Sequence, residues 1–153
     1  MRYTVVFILF LMLASCGPTE IYKHKEDIHQ PWTYADSLVF NYAVTDTLSP
    51  YDLFLTVEHS PEFKYENLYI NAVTQFPDGN RSVHPVSLQL VGDDDNWIGK
   101  CSSTSCKAAI HIAEKAYFKQ PGDYKLMLEQ YSRSESLDGI ISIQLQILKA
   151  KIK

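Results

Sequence analysis

Two cysteines, Cys101 and Cys106, stand five residues apart with Ser102-Ser103-Thr104-Ser105 between them. That spacing does not fit the Cys-x-x-Cys pair that tunes a thiolate at a helix start, so no redox role is read into it. Three cysteines in total are too few for a disulfide framework or a four-thiolate zinc site. Asp93-Asp94-Asp95-Asn96 has the carboxylate density a hard cation wants. The calcium-loop spacing fails, however, because Trp97 fills the fifth position and no Gly or Glu follows in register. A solvated turn is the expectation, and no metal. The five histidines, at 24, 29, 59, 84 and 111, are scattered, and His111 faces solvent if Ile110 and Ile112 face the core. No nucleophile elbow, metalloprotease helix motif or phosphate-cradling glycine loop occurs in the chain. Paired carboxylates could come together from distant strands, but nothing in the spacing selects a pair. Spacing alone therefore singles out no catalytic residue and no cofactor.

The third cysteine carries the clearest chemistry. Arg2 supplies a positive start, and Tyr3 to Leu13 is apolar apart from Thr4. A bilayer-spanning helix needs about 20 apolar residues, so this run has the proportions of a secretory signal and not of a membrane span. Leu13-Ala14-Ser15-Cys16 follows at once and resembles a bacterial lipobox. The resemblance implies cleavage before Cys16, acylation of its thiol, and acylation of the new amino group. Residues 1–15 are then a lipoprotein signal peptide, and the mature chain is anchored to a membrane through lipid on Cys16 without spanning it. An envelope compartment is oxidising. Cys101 and Cys106 can there form a local disulfide or stay as two free thiols. The residues behind Cys16, Gly17-Pro18-Thr19-Glu20, lack the acidic cluster that resembles a surface-export signal, which favours an outer-membrane lipoprotein facing the periplasm.

These residues must be positioned by the elements of a single domain, since 153 residues favour one over two. The hydrophobic share of 46% against 21% charged residues is ordinary globular composition. A net charge of −4 with no basic block removes the electrostatic basis for holding nucleic acid. Residues 16–33 are polar and read as a lipid-anchored tether that feeds a first edge strand, leaving 34–153 as the domain. Strand alternation begins at Leu38, Phe40, Tyr42 and Val44. It continues through Leu53, Leu55 and Val57, then Leu68, Ile70 and Ala72. Phe76-Pro77-Asp78-Gly79-Asn80 turns the chain, and Val86, Leu88 and Leu90 form the next strand. Gly92 to Lys107 reads as a long loop. Ala108 to Phe118 suits strand or helix, and strand is preferred because Gln120-Pro121-Gly122-Asp123 turns directly into Tyr124, Leu126 and Leu128. Ile141, Ile143, Leu145 and Ile147 close the chain with the cleanest alternation. Seven or eight strands at this spacing predict an antiparallel β-sandwich.

Trp32, Trp97 and the ten tyrosines could supply a sugar-stacking platform, although filling a sandwich and its rims is the commoner use of aromatics. Trp97, in a polar loop, is expected to be partly exposed. Trp32, just behind the tether, and Trp97 are taken as contact residues for a partner.

The ordered residues together resemble the gliding-motility lipoprotein GldH family of the Bacteroidetes. The likeness rests on Trp32 with Asp36-Ser37, Ser49-Pro50-Tyr51-Asp52-Leu53-Phe54 and Tyr65-Glu66-Asn67-Leu68. Phe76-Pro77-Asp78-Gly79, Trp97-Ile98-Gly99-Lys100, Pro121-Gly122-Asp123-Tyr124 and Gly139-Ile140 follow in order. Beyond Lys100, where the family continues with a Gly and an acidic step, this chain has Cys101 and its Ser-rich segment. The resemblance implies a cell-envelope lipoprotein needed for gliding and linked with adhesin export by the type IX route. Its partners would be envelope proteins of that apparatus, and it implies no catalytic residues. A carbohydrate-binding lipoprotein module is the alternative reading.

Overall fold

Alternating residues give each strand one apolar face, and such faces find shelter only against one another. The computed structural model describes residues 17–151; the expected signal peptide and Cys16 lie outside them. The strands in order are β1 (Glu20–Asp27), β2 (Trp32–Thr33), β3 (Ser37–Val44), β4 (Tyr51–His59), β5 (Asn67–Gln75), β6 (Arg81–Gln89), β7 (Lys100–Cys101), β8 (Cys106–Ala116), β9 (Gly122–Gln130), β10 (Ser136–Leu137) and β11 (Ile140–Lys149). Three of them, β2, β7 and β10, have only two residues. The other eight build the all-β, antiparallel sandwich expected from the alternation, with no helix among the described residues. One sheet runs β1-β11-β4-β8-β7, the other β3-β9-β5-β6, and β10 pairs with β2 at one end.

The core lies between the two large sheets. β3 contributes Leu38, Phe40, Tyr42 and Val44, and β9 contributes Tyr124, Leu126 and Leu128. From the opposite sheet come Leu55 and Val57 of β4 with Ile143, Leu145 and Ile147 of β11. Ile141 drops out of the expected apolar face and is 36% exposed. The β11–β4 ladder shifts register between Ile140 and Ser142, and such a shift turns a neighbouring side chain to the other face. Ile140 is buried in its place. The segment that suited strand or helix is β8, an eleven-residue strand ending at Ala116.

The expected tether is much shorter than residues 16–33. Within that range Glu20–Asp27 is β1, which pairs along β11 from Glu20↔Leu148 to Asp27↔Ser142. Thr19 is already held, its carbonyl accepting the Lys149 N–H at 2.8 Å. An edge strand needs only one hydrogen-bonded neighbour, and Lys23, His24, Lys25 and Asp27 remain exposed, so polar composition hid it.

Both ends of the described chain therefore meet at one end of the sandwich, called proximal below, where the β3–β4, β5–β6 and β8–β9 connections also lie. Aromatic rings plug it. Phe118 packs edge-on against Tyr51 at 5.2 Å and Tyr124 at 5.0 Å, while Tyr42 stacks on Tyr124 at 5.6 Å. Burial pushes the Tyr42 hydroxyl far above its ordinary pKa. Asp46 clamps the rim: its carboxylate accepts from Lys149 Nζ at 2.7 Å, Ser49 Oγ at 2.6 Å and the Leu48 N–H at 2.9 Å. The Lys149 ammonium first, and then the Ser49 and Leu48 donors, hold that carboxyl well below the usual range.

Trp32, expected as a contact residue, is 0% exposed. The β2–β10 pair sets it opposite Leu137, and its indole N–H donates to the Asp36 carbonyl at 2.8 Å. A partner cannot reach it, and its role is packing. Trp32→Ala should therefore cost about 3–5 kcal/mol in urea unfolding; a change within about 0.5 kcal/mol would be that of a surface residue and would contradict this placement.

Candidate functional site

The opposite, distal end is open. There the β4–β5 connection, the start of β5 and the segment after β9 enclose a groove of about 850 Å³. Tyr65, Tyr69 and Tyr131 line it with Asn67, Arg133 and Lys64. Tyr65 and Tyr69 are half-exposed, and Tyr131 is 59% exposed. Rings left in water around a concave surface are what a stacking or docking partner uses.

The groove exists because β5 outruns β9. The β5–β9 ladder begins at Ile70↔Gln130, whereas β5 pairs with β6 from Asn67 onward. The strand edge ahead of Ile70 thus faces the groove, crossed where the Tyr131 N–H donates to the Tyr69 carbonyl at 2.8 Å. The far wall, residues 131–135, is folded around one buried amide. Gln130 Nε2 donates to the carbonyls of Ser134 and Glu135, each at 3.0 Å. Its Oε1 accepts from Ser132 N–H at 3.0 Å and Ser132 Oγ at 2.6 Å. Four bonds to a side chain that is only 3% exposed fix this wall. The Tyr34 hydroxyl braces it by donating to the Ser132 carbonyl at 2.6 Å.

Trp97 lies elsewhere at the same end and is half-buried, as its polar loop led one to expect. Its N–H donates to the Pro61 carbonyl at 3.2 Å, and its ring meets His59 edge-on at 4.5 Å. Its backbone bridges to Val91, so the stretch read as one long loop is in part ordered. Gly99, two residues further on, has φ +89 and the Lys107 carbonyl against the position a Cβ would take, a conformation and a contact that only glycine accepts. β7 then brings Cys101 opposite Cys106, and their sulfurs are joined. Asp94, in the acidic run, accepts from the Asn96 N–H and side-chain amide; these donors hold its carboxyl below the ordinary range.

His59 was not separable from the other histidines by sequence. It is 0% exposed at the end of β4, with Phe63 at 5.9 Å beside Trp97. Its Nδ1–H donates to the Ser60 carbonyl at 2.8 Å, and Nε2 has no partner among the described residues. Burial pushes its pKa below the ordinary 6.5. His111 is exposed, as expected, and stacks on Phe54 at 4.3 Å. Burial would raise the Glu58 carboxyl, but Ser105, Ser142 and Lys107 outweigh it and hold the pKa down. The groove tyrosines escaped sequence reading because Tyr69 and Tyr131 are 62 positions apart and meet only through the sheet.

Comparison with known proteins follows the same boundaries. The family model for the GldH lipoprotein matches residues 20–147. A gliding motility lipoprotein GldH homolog of Christiangramia forsetii is 26% identical over 95% of this chain and 94% of its own length. The gliding motility lipoprotein GldH of Flavobacterium johnsoniae is 21% identical over 94% and 93%. A solved structure of infectious bursal disease virus, Gx strain, aligns with 86% of this chain and 31% of its own at 10% identity. Its TM-score of 0.31 is too low to bear on fold or function.

Two outcomes are expected from this geometry. Gln130→Ala takes the Gln130 partner from the Glu135 carbonyl and the Ser132 N–H, while Ser132 Oγ still reaches the Ser134 carbonyl. This should cost about 2 kcal/mol and raise amide exchange over residues 131–135, and unchanged exchange there would contradict the anchoring role. For His59, the unfolded chain takes up the proton more readily than the folded one, so stability falls as pH drops below about 6.5. Denaturant midpoints should decline from pH 7.5 to 5.5, and less steeply in His59→Phe; equal slopes would remove His59 as the cause.

Proposed function

The chain belongs to the GldH lipoprotein family, and from that premise we propose that it is a non-catalytic lipoprotein of the cell envelope. It serves the gliding motility machinery and the linked type IX export route through protein–protein contacts. Cleavage after residue 15 and lipid on Cys16 anchor it, with the outer membrane facing the periplasm as its site. The observation that carries this reading is the family likeness, which covers residues 20–147, all of the sandwich but the last two residues of β11.

The chemistry of the side chains supports contact over reaction. Asp46, Glu58 and Asp36 are perturbed, yet each is taken up by hydrogen bonds that close a rim or a turn. The distal groove, by contrast, leaves its tyrosines available together with the edge of β5 at Asn67, ahead of the Tyr131–Tyr69 bond, and an extended segment of a partner can add to such an edge. The outer edge of β8 beyond Lys107, where pairing with β7 ends, offers a second. In the oxidising envelope the Cys101–Cys106 bond braces the loop next to Trp97, which is kept as a contact residue. One observation favours a second reading, a carbohydrate-binding module: three exposed tyrosines flank polar Asn67, Arg133 and Lys64, a combination that suits stacking on sugar faces.

In the native host, Cys16→Ser should abolish colony spreading and adhesin export. Crosslinking pull-down of the lipidated chain should recover motility or export components that the Cys16→Ser chain does not. Recovery of glycan-handling proteins alone, with retardation on glycan gels lost in Tyr65→Ala and Tyr131→Ala, would replace the contact reading with the carbohydrate one.

A further inference from the structure

We propose that the proximal end of the sandwich is seated directly on the lipid surface, with Leu48 in the boundary between headgroups and acyl chains. The inference rests on lipidation of Cys16 and adds to it an orientation and a contact.

Reach is the first argument. Thr19 is fixed to β11 by the Lys149 N–H, so only Gly17 and Pro18 separate the lipidated residue from the folded body. Three residue steps span at most about 11 Å. A body held on so short a leash cannot turn its proximal end away from the bilayer.

Position is the second. The exit point and the β3–β4 turn are joined by consecutive hydrogen bonds: Thr19 carbonyl to Lys149 N–H at 2.8 Å, Lys149 Nζ to Asp46 at 2.7 Å, and Asp46 to the Leu48 N–H at 2.9 Å. Leu48 is thereby held beside the place where the anchored chain enters, and it is 88% exposed. An apolar side chain presented that fully to water, on a turn clamped by its own carboxylate, has a use where water ends. Tyr117 stands on the same end, 62% exposed, directly before Phe118 of the aromatic plug. Tyrosine, with an apolar ring and a polar tip, suits the headgroup level.

Charge plays little part. Lys115, Lys119 and Lys151 are exposed at this end, but so are Glu20, Asp78 and Glu114. The contact should therefore depend weakly on anionic lipid. Strands of nine residues at about 3.3 Å each then lift the tyrosine groove about 30 Å from the surface.

The test uses the full lipidated chain, reconstituted into phosphatidylethanolamine vesicles with and without phosphatidylglycerol. Leu48→Cys or Tyr131→Cys carries an environment-sensitive fluorophore, and brominated lipids act as quenchers. The label at 48 should shift to the blue and lose intensity with brominated lipid, whereas the label at 131 should do neither. Omitting phosphatidylglycerol should leave both results unchanged. A chain that floats with the vesicles while position 48 stays in water overturns the seating and leaves the anchor standing. Quenching at both positions means that the body lies flat and likewise overturns it. A chain that does not float overturns lipidation of Cys16 and the seating together.

Discussion

The pairing of β1 along β11 is the constraint on which the rest of the arrangement depends. It takes the polar segment behind Cys16, which by composition should trail freely, and makes it the edge of the five-stranded sheet. Because antiparallel partners run head to tail, the start of β1 and the end of β11 must lie together. Asp46 draws the β3–β4 turn to the same place through Lys149, and the rings of Tyr51, Phe118 and Tyr124 seal the space behind it. One ladder thus gives the sandwich two unlike ends, a closed one where the described chain begins and ends and an open one remote from it.

The open end owes its form to unequal strand lengths and to one saturated amide. β9 stops at Gln130, three residues short of the start of β5 opposite, and the chain beyond it curls around the Gln130 side chain instead of continuing the ladder. The resulting groove keeps its tyrosines in water without giving up core packing, since Leu68, Leu128 and Leu137 remain buried beneath. The lone Nε2 of His59 is the one buried side-chain polar atom without a partner among the described residues, and it lies at this same end. The His59 ring is packed against those of Trp97 and Phe63.

Much of the fold was legible because one buried face per strand leaves period-two alternation, as in Leu38-Phe40-Tyr42-Val44 and Tyr124-Leu126-Leu128. The failures have physical causes. β1 shows no alternation because, as an edge strand, most of its side chains stay in water. Trp32 looked exposed by its neighbours, but its burial comes from β10, more than a hundred positions away. Ile141 kept the period while a register shift moved it off the face. The groove was the least legible part, being made by Tyr65, Tyr69 and Tyr131 from separate elements. The stretches that carry the family resemblance proved to be structural in several cases: Trp32 bonds to Asp36, Gly99 admits Lys107, and Tyr51 donates to the Asp46 carbonyl at 2.7 Å.

The central claim is that the two ends meet different surroundings, lipid at one and a protein partner at the other. Photocrosslinking in the native envelope tests it most directly, with a photoreactive residue placed at position 48 in one strain and at position 69 in another. The account predicts discrete protein adducts from position 69 and lipid adducts from position 48. Protein adducts from position 48 with none from position 69 would reverse the orientation and contradict the account.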